Sequence, residues 1–186
     1  MHPLRRHIEA ISPLTDEEFA YILSHFTPRT LRKNQYLLQE GDRVPNEYFV
    51  VCGCLKAYYT SEDGKDNILQ FASEEWWVSD YRAFFHQQAS HLNIECFEPS
   101  ELLTLSLANR EKLCAEMHKM EHFFRVKLSN AVVALQSRVE SLLTHTAQER
   151  YEQFITLYPH FVQRIPKKHI AAYLGVSRET LSRLSE

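Results

Sequence analysis

Long apolar runs are missing from this 186-residue sequence, and none approaches the roughly 20 residues that a bilayer-crossing helix requires. Residues 1–6 lead into a mixed polar helix and not into a signal peptide, so a soluble, cytoplasmic protein without a membrane partner is expected. Cysteine is sparse: Cys52, Cys54, Cys96 and Cys114 are scattered, and in an intracellular chain such thiols stay reduced, which argues against disulfides. Cys52 and Cys54 alternate around one residue, so on a strand both face one side as small buried thiols. With four glycines there is no Gly-rich phosphate loop, and no nucleophile–base constellation or paired-carboxylate motif is visible. No enzyme and no cofactor are therefore expected. His118 and His122, one helical turn apart with Glu121 between them, make at most half a metal site, and no metal is expected.

What the sequence does have is core material and an uneven charge. Hydrophobic residues make up 44% and aromatics 12%, enough for a true core. The net charge of −3 divides unequally: residues 161–186 carry Arg164, Lys167, Lys168, Arg178 and Arg183 against Glu179 and Glu186, a net +3, leaving −6 for the other 160 residues. A basic end on an acidic body suits a phosphate-binding module joined to a separate domain.

Thr15-Asp16-Glu17-Glu18 forms a capping-box pattern, and Phe19, Ile22, Leu23 and Phe26 follow at helical spacing. From residue 30 to 107 the pattern changes to short β-rich runs at 36–38, 48–52, 55–59, 67–71 and 102–105. Glu40-Gly41-Asp42, Val44-Pro45-Asn46, Cys52-Gly53 and Glu62-Asp63-Gly64-Lys65 separate them, and the Asp63-Gly64 pair marks a hairpin. Many short strands with no helices between them predict an antiparallel roll or barrel and exclude a parallel α/β sheet. Beyond residue 107 helix takes over. Leu128, Val132, Leu135, Val139 and Leu142 alternate steps of four and three, the seam of a coiled coil between two copies. Thr146-Ala147-Gln148-Glu149 opens a further helix through Tyr151, Phe154, Ile155 and Tyr158, ended by Pro159. The fold class is thus α+β: a β-roll sensor domain over 1–116 with flanking helices, a dimerisation helix over 117–145, and a third domain over 146–186.

The third domain carries the function. Residues 165–186 read IPKKHIAAYLGVSRETLSRLSE. Pro166 suits a helix's first turn, Ile170, Ala171 and Leu174 supply a buried face, and Gly175 permits the left-handed turn that ends it. Ser177 caps a second helix carrying Thr180, Leu181 and Leu184, making a helix-turn-helix. Arg178, Glu179 and Arg183 lie on or near one face of that second helix, where arginine can grip guanine and glutamate can accept from cytosine. Lys167, Lys168 and His169, at the start of the first helix, are expected on phosphate.

Those residues, with the order of roll, long helix and terminal helix-turn-helix, resemble the family of the cyclic-AMP receptor protein and the fumarate-nitrate regulator. The stretch from Gly175 through Val176, Ser177, Arg178, Glu179, Thr180, Leu181 and Ser182 to Arg183 is closely similar to that family's recognition helix. Glu40-Gly41-Asp42 and the 48–53 strand resemble its sensor domain. The resemblance implies a bacterial transcription regulator acting as a homodimer on palindromic double-stranded DNA with TGTGA-like half-sites, contacts to RNA polymerase, and a small-molecule effector. It also implies a jelly roll of the cyclic-nucleotide-binding kind.

The sequence departs from the family at the place that neutralises a cyclic phosphate. Ser79 and Asp80 replace the family's Gly-Glu pair, and no arginine falls near Ser90 and His91, so cyclic AMP is not the expected effector. Arg82 is read as a surface residue. The family's N-terminal cysteine cluster for an iron–sulfur centre has no counterpart before Cys52, and nothing positions a haem ligand. Trp76 and Trp77, with Phe71, Tyr81, Phe84 and Phe85, form an aromatic cluster there, and Trp76, Trp77, Ser79, Asp80, Tyr81, Ser90 and His91 are the candidate lining of an effector pocket suited to a flat or apolar molecule. The family's wing after the recognition helix is not expected, the sequence stopping at Glu186. Two other classes fit parts of the pattern. One is a ligand- or protein-binding roll that does not touch DNA. The other is a cupin-like metal enzyme, for which the strand region offers only His86 and His91 and no H-x-H pair.

Overall fold

A computed structural model describes residues 1–184. Two helices, α1 (Pro3–Glu9) and α2 (Asp16–Leu23), precede strands β1 (Thr27–Leu31), β2 (Tyr36–Leu38), β3 (Asn46–Cys52), β4 (Leu55–Thr60), β5 (Asp66–Ala72) and β6 (Trp77–Val78). Helix α3 (Tyr81–His86) interrupts the strands before β7 (Asn93–Cys96) and β8 (Ser100–Ser106). Helices α4 (Leu107–Glu116), α5 (His118–Thr144), α6 (Ala147–Leu157), α7 (Pro159–Arg164), α8 (Lys167–Leu174) and α9 (Arg178–Leu184) complete the described chain.

The local signals act as their chemistry requires. Thr15 and Thr146 both close full capping boxes, with Glu18 and Glu149 respectively, satisfying the first free amides of α2 and α6. Gly64, at φ +78°, turns the β4–β5 hairpin. Three strands escape the sequence pattern: β1 (TPRTL) is polar, β6 has two residues and β7 four. Helix α3, capped by Asp80, lies inside the stretch expected to hold strands alone. Pro159, expected to end α6, also begins α7, where its missing N–H costs nothing.

The strands form two antiparallel sheets, ordered β1-β8-β3-β6 and β2-β7-β4-β5. Alternation sends side chains to three separate cores. Between the sheets lie Leu37, Leu38, Tyr48, Val50, Leu55, Ala57, Ile94 and Leu102. The outer face of the first sheet puts Phe49, Trp77, Leu103 and Leu105 against Leu4, Ile8, Leu113, Phe123 and Phe124 of the flanking helices. The outer face of the second puts Cys54, Tyr58, Ile68 and Phe71 against Phe154, Phe161, Ile170, Ala171 and Leu174. Strands β3 and β4 are buried on both faces along four consecutive residues and read as apolar runs, whereas β1 is mostly exposed and β7 alternates. The terminal helices accordingly pack onto the roll through a shared apolar core.

Cys52 and Cys54 do not share a face. The chain leaves β3 through Gly53, whose φ of +116° reverses its direction, and Cys52 ends exposed while Cys54 is fully buried. A β-carbon at Gly53 would collide with the Cα, Cβ and Oγ of Ser100, so this close approach requires glycine. Burial pushes the Cys54 thiol up to about 12, which makes it inert.

Candidate nucleic-acid interface and sensor roll

Ile170, Ala171 and Leu174 of α8 bury with Leu181 of α9 in the core on the outer face of the second sheet. Gly175 sits in the left-handed region at φ +68°, and the Val176 amide donates to Ala171 O at 3.0 Å, closing α8 and redirecting the chain. The Ser177 hydroxyl accepts from the Thr180 amide at 3.1 Å and so caps α9. With Leu181 turned inward, Ser177, Arg178, Glu179 and Arg183 are exposed and Thr180 is half-buried. Hydrogen bonds from its own amide and from the Ser177 side chain hold the Glu179 carboxyl below its ordinary range, keeping it an acceptor. Lys167 and Lys168 are exposed at the start of α8. The turn thus presents two guanidinium groups, one carboxylate and two ammonium groups to solvent on one small scaffold.

His169 differs from its expected place on phosphate. It is buried, its ring 5.1 Å from that of Phe97, and burial with the nearby charges of Lys56 and Lys168 lowers its pKa to about 4. One residue before Ile170, it falls on the side of α8 that faces the roll, and a neutral buried imidazole offers no charge to a phosphate.

On the sensor side, the structure does not bring the seven candidate pocket residues into one cavity. Trp76 faces the terminal helices, with ring centroids 5.6 Å from Tyr158 and 5.7 Å from Phe161. Trp77 points the opposite way, to Phe49 at 5.4 Å and Phe124 at 5.8 Å, with the Lys127 ammonium 3.6 Å over its ring. Successive strand residues point to opposite faces, so adjacent tryptophans serve different cores. Phe71 joins the core beneath the terminal helices, Phe84 the core between the sheets, while Tyr81 stacks on the exposed Phe85. Ser79 donates to Asn46 O at 2.9 Å. Asp80, Ser90 and His91 do converge: the Asp80 carboxylate accepts from the amides of Ala83 and His91, both at 3.0 Å, and lies 3.1 Å from the Ser90 hydroxyl.

Several charged groups that the sequence analysis did not single out join the modules. Arg164 of α7 grips Glu74 with both terminal nitrogens, at 2.8 and 2.9 Å, and also reaches Glu98, tying the terminal helices to two loops of the roll. Glu74 in turn accepts from the Gly53 amide at 2.9 Å. Arg138 of α5 donates to the carbonyls of Ile68, Leu69 and Tyr173 and lies 4.0 Å over the Tyr173 ring, linking α5, β5 and α8. These partners stand 21 to 90 residues apart, and no local spacing announces them. Along α5, Met120, Phe123 and Phe124 are buried on the roll, whereas Leu128, Val132, Leu135, Val139 and Leu142 are 37–63% exposed. Among the described residues no group of three or more His, Cys, Asp or Glu side chains could hold a metal, and no helix is long and apolar enough to cross a membrane.

The architecture is a covered β-roll followed by a long helix and an exposed helix-turn-helix, and comparison with known proteins finds the same order in transcription regulators. Residues 28–117 match the cyclic nucleotide-binding domain. The chain is 26% identical to the fumarate and nitrate reduction regulatory protein of Vibrio cholerae over 84% of its length and 66% of that protein's. To the cAMP-activated global transcriptional regulator CRP of Escherichia coli O6:H1 it is 21% identical, over 92% of this chain and 87% of that one. The solved structure of FixK2 from Bradyrhizobium japonicum superposes with a TM-score of 0.72 at 19% identity, covering 86% of this chain and 82% of its own. Along most of its length the chain is thus similar to transcription regulators of the Crp/Fnr kind.

Proposed function

We propose that this protein is a sequence-specific DNA-binding regulator that acts as a symmetric dimer through α5 and reads DNA through α9. The observation that carries the reading is the exposure of Arg178, Glu179 and Arg183 on α9 while Leu181 of the same helix is buried, which leaves a polar face suited to the major groove. The unpartnered apolar seam of α5 supports the second half of the reading. A two-fold pair places two copies of α9 on half-sites about 34–36 Å apart along the duplex. Lys167 and Lys168 then serve as phosphate contacts, positioning the helix without reading sequence. RNA polymerase is the further partner of such a regulator, and an effector other than cyclic AMP would act through the roll.

Fluorescence anisotropy with a TGTGA-N6-TCACA duplex tests the reading. Binding should exceed that to a scrambled duplex by at least about 10³-fold at physiological salt and weaken steeply as salt rises. Equal affinity for the two duplexes across the salt range would defeat it and favour a roll that binds ligand or protein alone.

A further inference from the structure

Between Glu18 and Glu40 the sequence holds no carboxylate, and residues 27–35 carry Arg29, Arg32 and Lys33. On a body whose first 160 residues carry a net −6, this is a local excess of positive charge. Two of these cations sit on a fixed turn between β1 and β2. The Arg32 amide donates to Gln35 Oε1 at 3.0 Å and the Gln35 amide to Arg32 O at 3.1 Å, so Lys33 and Asn34 form the tip. The Asn34 amide donates to Cys96 O at 2.8 Å and the Cys96 amide to Gln35 O at 3.1 Å, which fastens the turn to the end of β7. The next two residues hold the terminal helices: the Phe97 ring stands 5.1 Å from that of His169 in α8, and Glu98 accepts from Arg164 of α7. The turn and the start of α8 therefore lie on either side of residues 96–98. Arg32 and Lys33 are exposed on the first, Lys167 and Lys168 on the second. Glu95 and Glu98, the carboxylates of that segment, are already paired with Lys56 and Arg164. Among the described residues Arg32 and Lys33 form no ion pair, so their charge faces solvent.

We propose that the β1–β2 turn of the roll is a second DNA contact, in which Arg32 and Lys33 hold backbone phosphates of the duplex that flanks the half-site read by α9. This rests on the reading of α9 as a recognition helix and extends it to the sensor domain. A duplex carries one negative charge per about 1.7 Å of its axis, so DNA held at Lys167 and Lys168 continues past the helix-turn-helix with the same charge. The next unpaired cations beside α8 are those of the turn. Contacts to phosphate carry no base information, so the flank adds affinity and salt dependence and leaves the half-site preference unchanged. Residues 96–98 set the spacing of the two contacts, and DNA held at both keeps the terminal helices on the roll.

Anisotropy with the full chain tests the proposal on two duplexes that share TGTGA-N6-TCACA, one ending at the half-sites and one extended by about one helical turn on each side. Replacing both cations, Arg32→Ala with Lys33→Ala, should weaken binding to the long duplex by about 10-fold or more at physiological salt. It should also reduce the salt slope of that duplex by about 2–4, up to one unit per cation in each subunit. Binding to the short duplex should change by less than about 2-fold, and the preference for TGTGA over a scrambled duplex of equal length should not move. Both positions are exposed, so the melting temperature should stay where it was. Arg32→Glu with Lys33→Glu should repel the flank and enlarge the difference between the duplexes. Equal loss on the two duplexes, or an unchanged salt slope on the long one, would overturn the proposal. So would a variant that binds both duplexes normally but no longer recruits RNA polymerase to a promoter, which would assign the turn to an acidic protein. A long duplex favoured through Arg32 and Lys33 without any preference for TGTGA would sink the reading of α9 and leave this contact standing.

Discussion

Glu47 has no exposed surface, yet it carries a charge that two cations share: Arg110 at 2.7 Å and Lys127 at 2.9 Å. Arg110 lies 4.1 Å over Phe124 and Lys127 3.6 Å over Trp77, so the centre is walled by aromatic faces. Burial outweighs the attraction of Glu47 and lowers the Lys127 pKa to about 8. Removing the carboxylate strands two cations in the interior, and Glu47→Gln should destabilise the fold by about 3–5 kcal/mol, measured by urea unfolding. Replacing all three groups with apolar residues should cost far less, because desolvation of the centre offsets most of its attraction. Gly53→Ala acts through geometry instead. The added carbon meets Ser100 in a backbone that side chains rarely adopt, and a loss of about 1–3 kcal/mol is expected.

At the scale of the element, α5 and α9 each have one face buried in the protein and one exposed. Leu135, 56% exposed at the middle of the seam, is the position where a buried charge would cost most between two copies. Leu135→Glu should give a folded monomer by light scattering and lose most DNA affinity, since one α9 reaches one half-site; an unchanged dimer would show that pairing uses another surface. On the helix-turn-helix, Arg178→Ala should cost about 1–3 kcal/mol and relax discrimination at one base pair. Lys168→Ala should weaken every sequence alike and reduce the salt slope by about 1. Anisotropy with single-base variants of the half-site separates the two effects. The caps of α2 and α6 and the Gly175 turn were legible because they are written within four or five consecutive residues. Strands β1, β6 and β7 were not, because two to five residues of mixed polarity become strands only when β8, β3 and β4 supply their hydrogen bonds.

For the whole molecule, the second sheet and the helix-turn-helix share one aromatic core, in which Phe71 stands 5.6 Å from Phe161 and 5.1 Å from Tyr173. Arg164 closes the edge of that contact on Glu74 and Glu98. The junction should loosen in acid in two steps. His169 titrates near 4 when buried and about 6.5 when free, so stability present above 6.5 is lost as pH falls toward 4. Glu74, held at about 2 chiefly by the Arg164 guanidinium working against burial, loses its contribution below its ordinary value of 4.5 as pH falls toward 2. Hydrogen exchange of α8 against pH should show both steps, and His169→Phe should remove the first. Arg164→Ala should weaken docking by about 1–2 kcal/mol, the modest value expected of a half-exposed ion pair.

By itself the sequence determined the caps of α2, α6 and α9, the Gly64 and Gly175 turns, the antiparallel roll, and the apolar stripe along α5, since most of these are encoded by neighbours within one or two turns of the chain. Tertiary structure alone decided that Trp76 and Trp77 enter different cores, that His169 turns inward, that Asp80 collects its donors, and that Arg138 and Arg164 hold the terminal helices on the roll. Such pairings join residues ten to ninety positions apart. Their energy depends on burial and on the meeting of faces, quantities that do not exist until the sheets have closed.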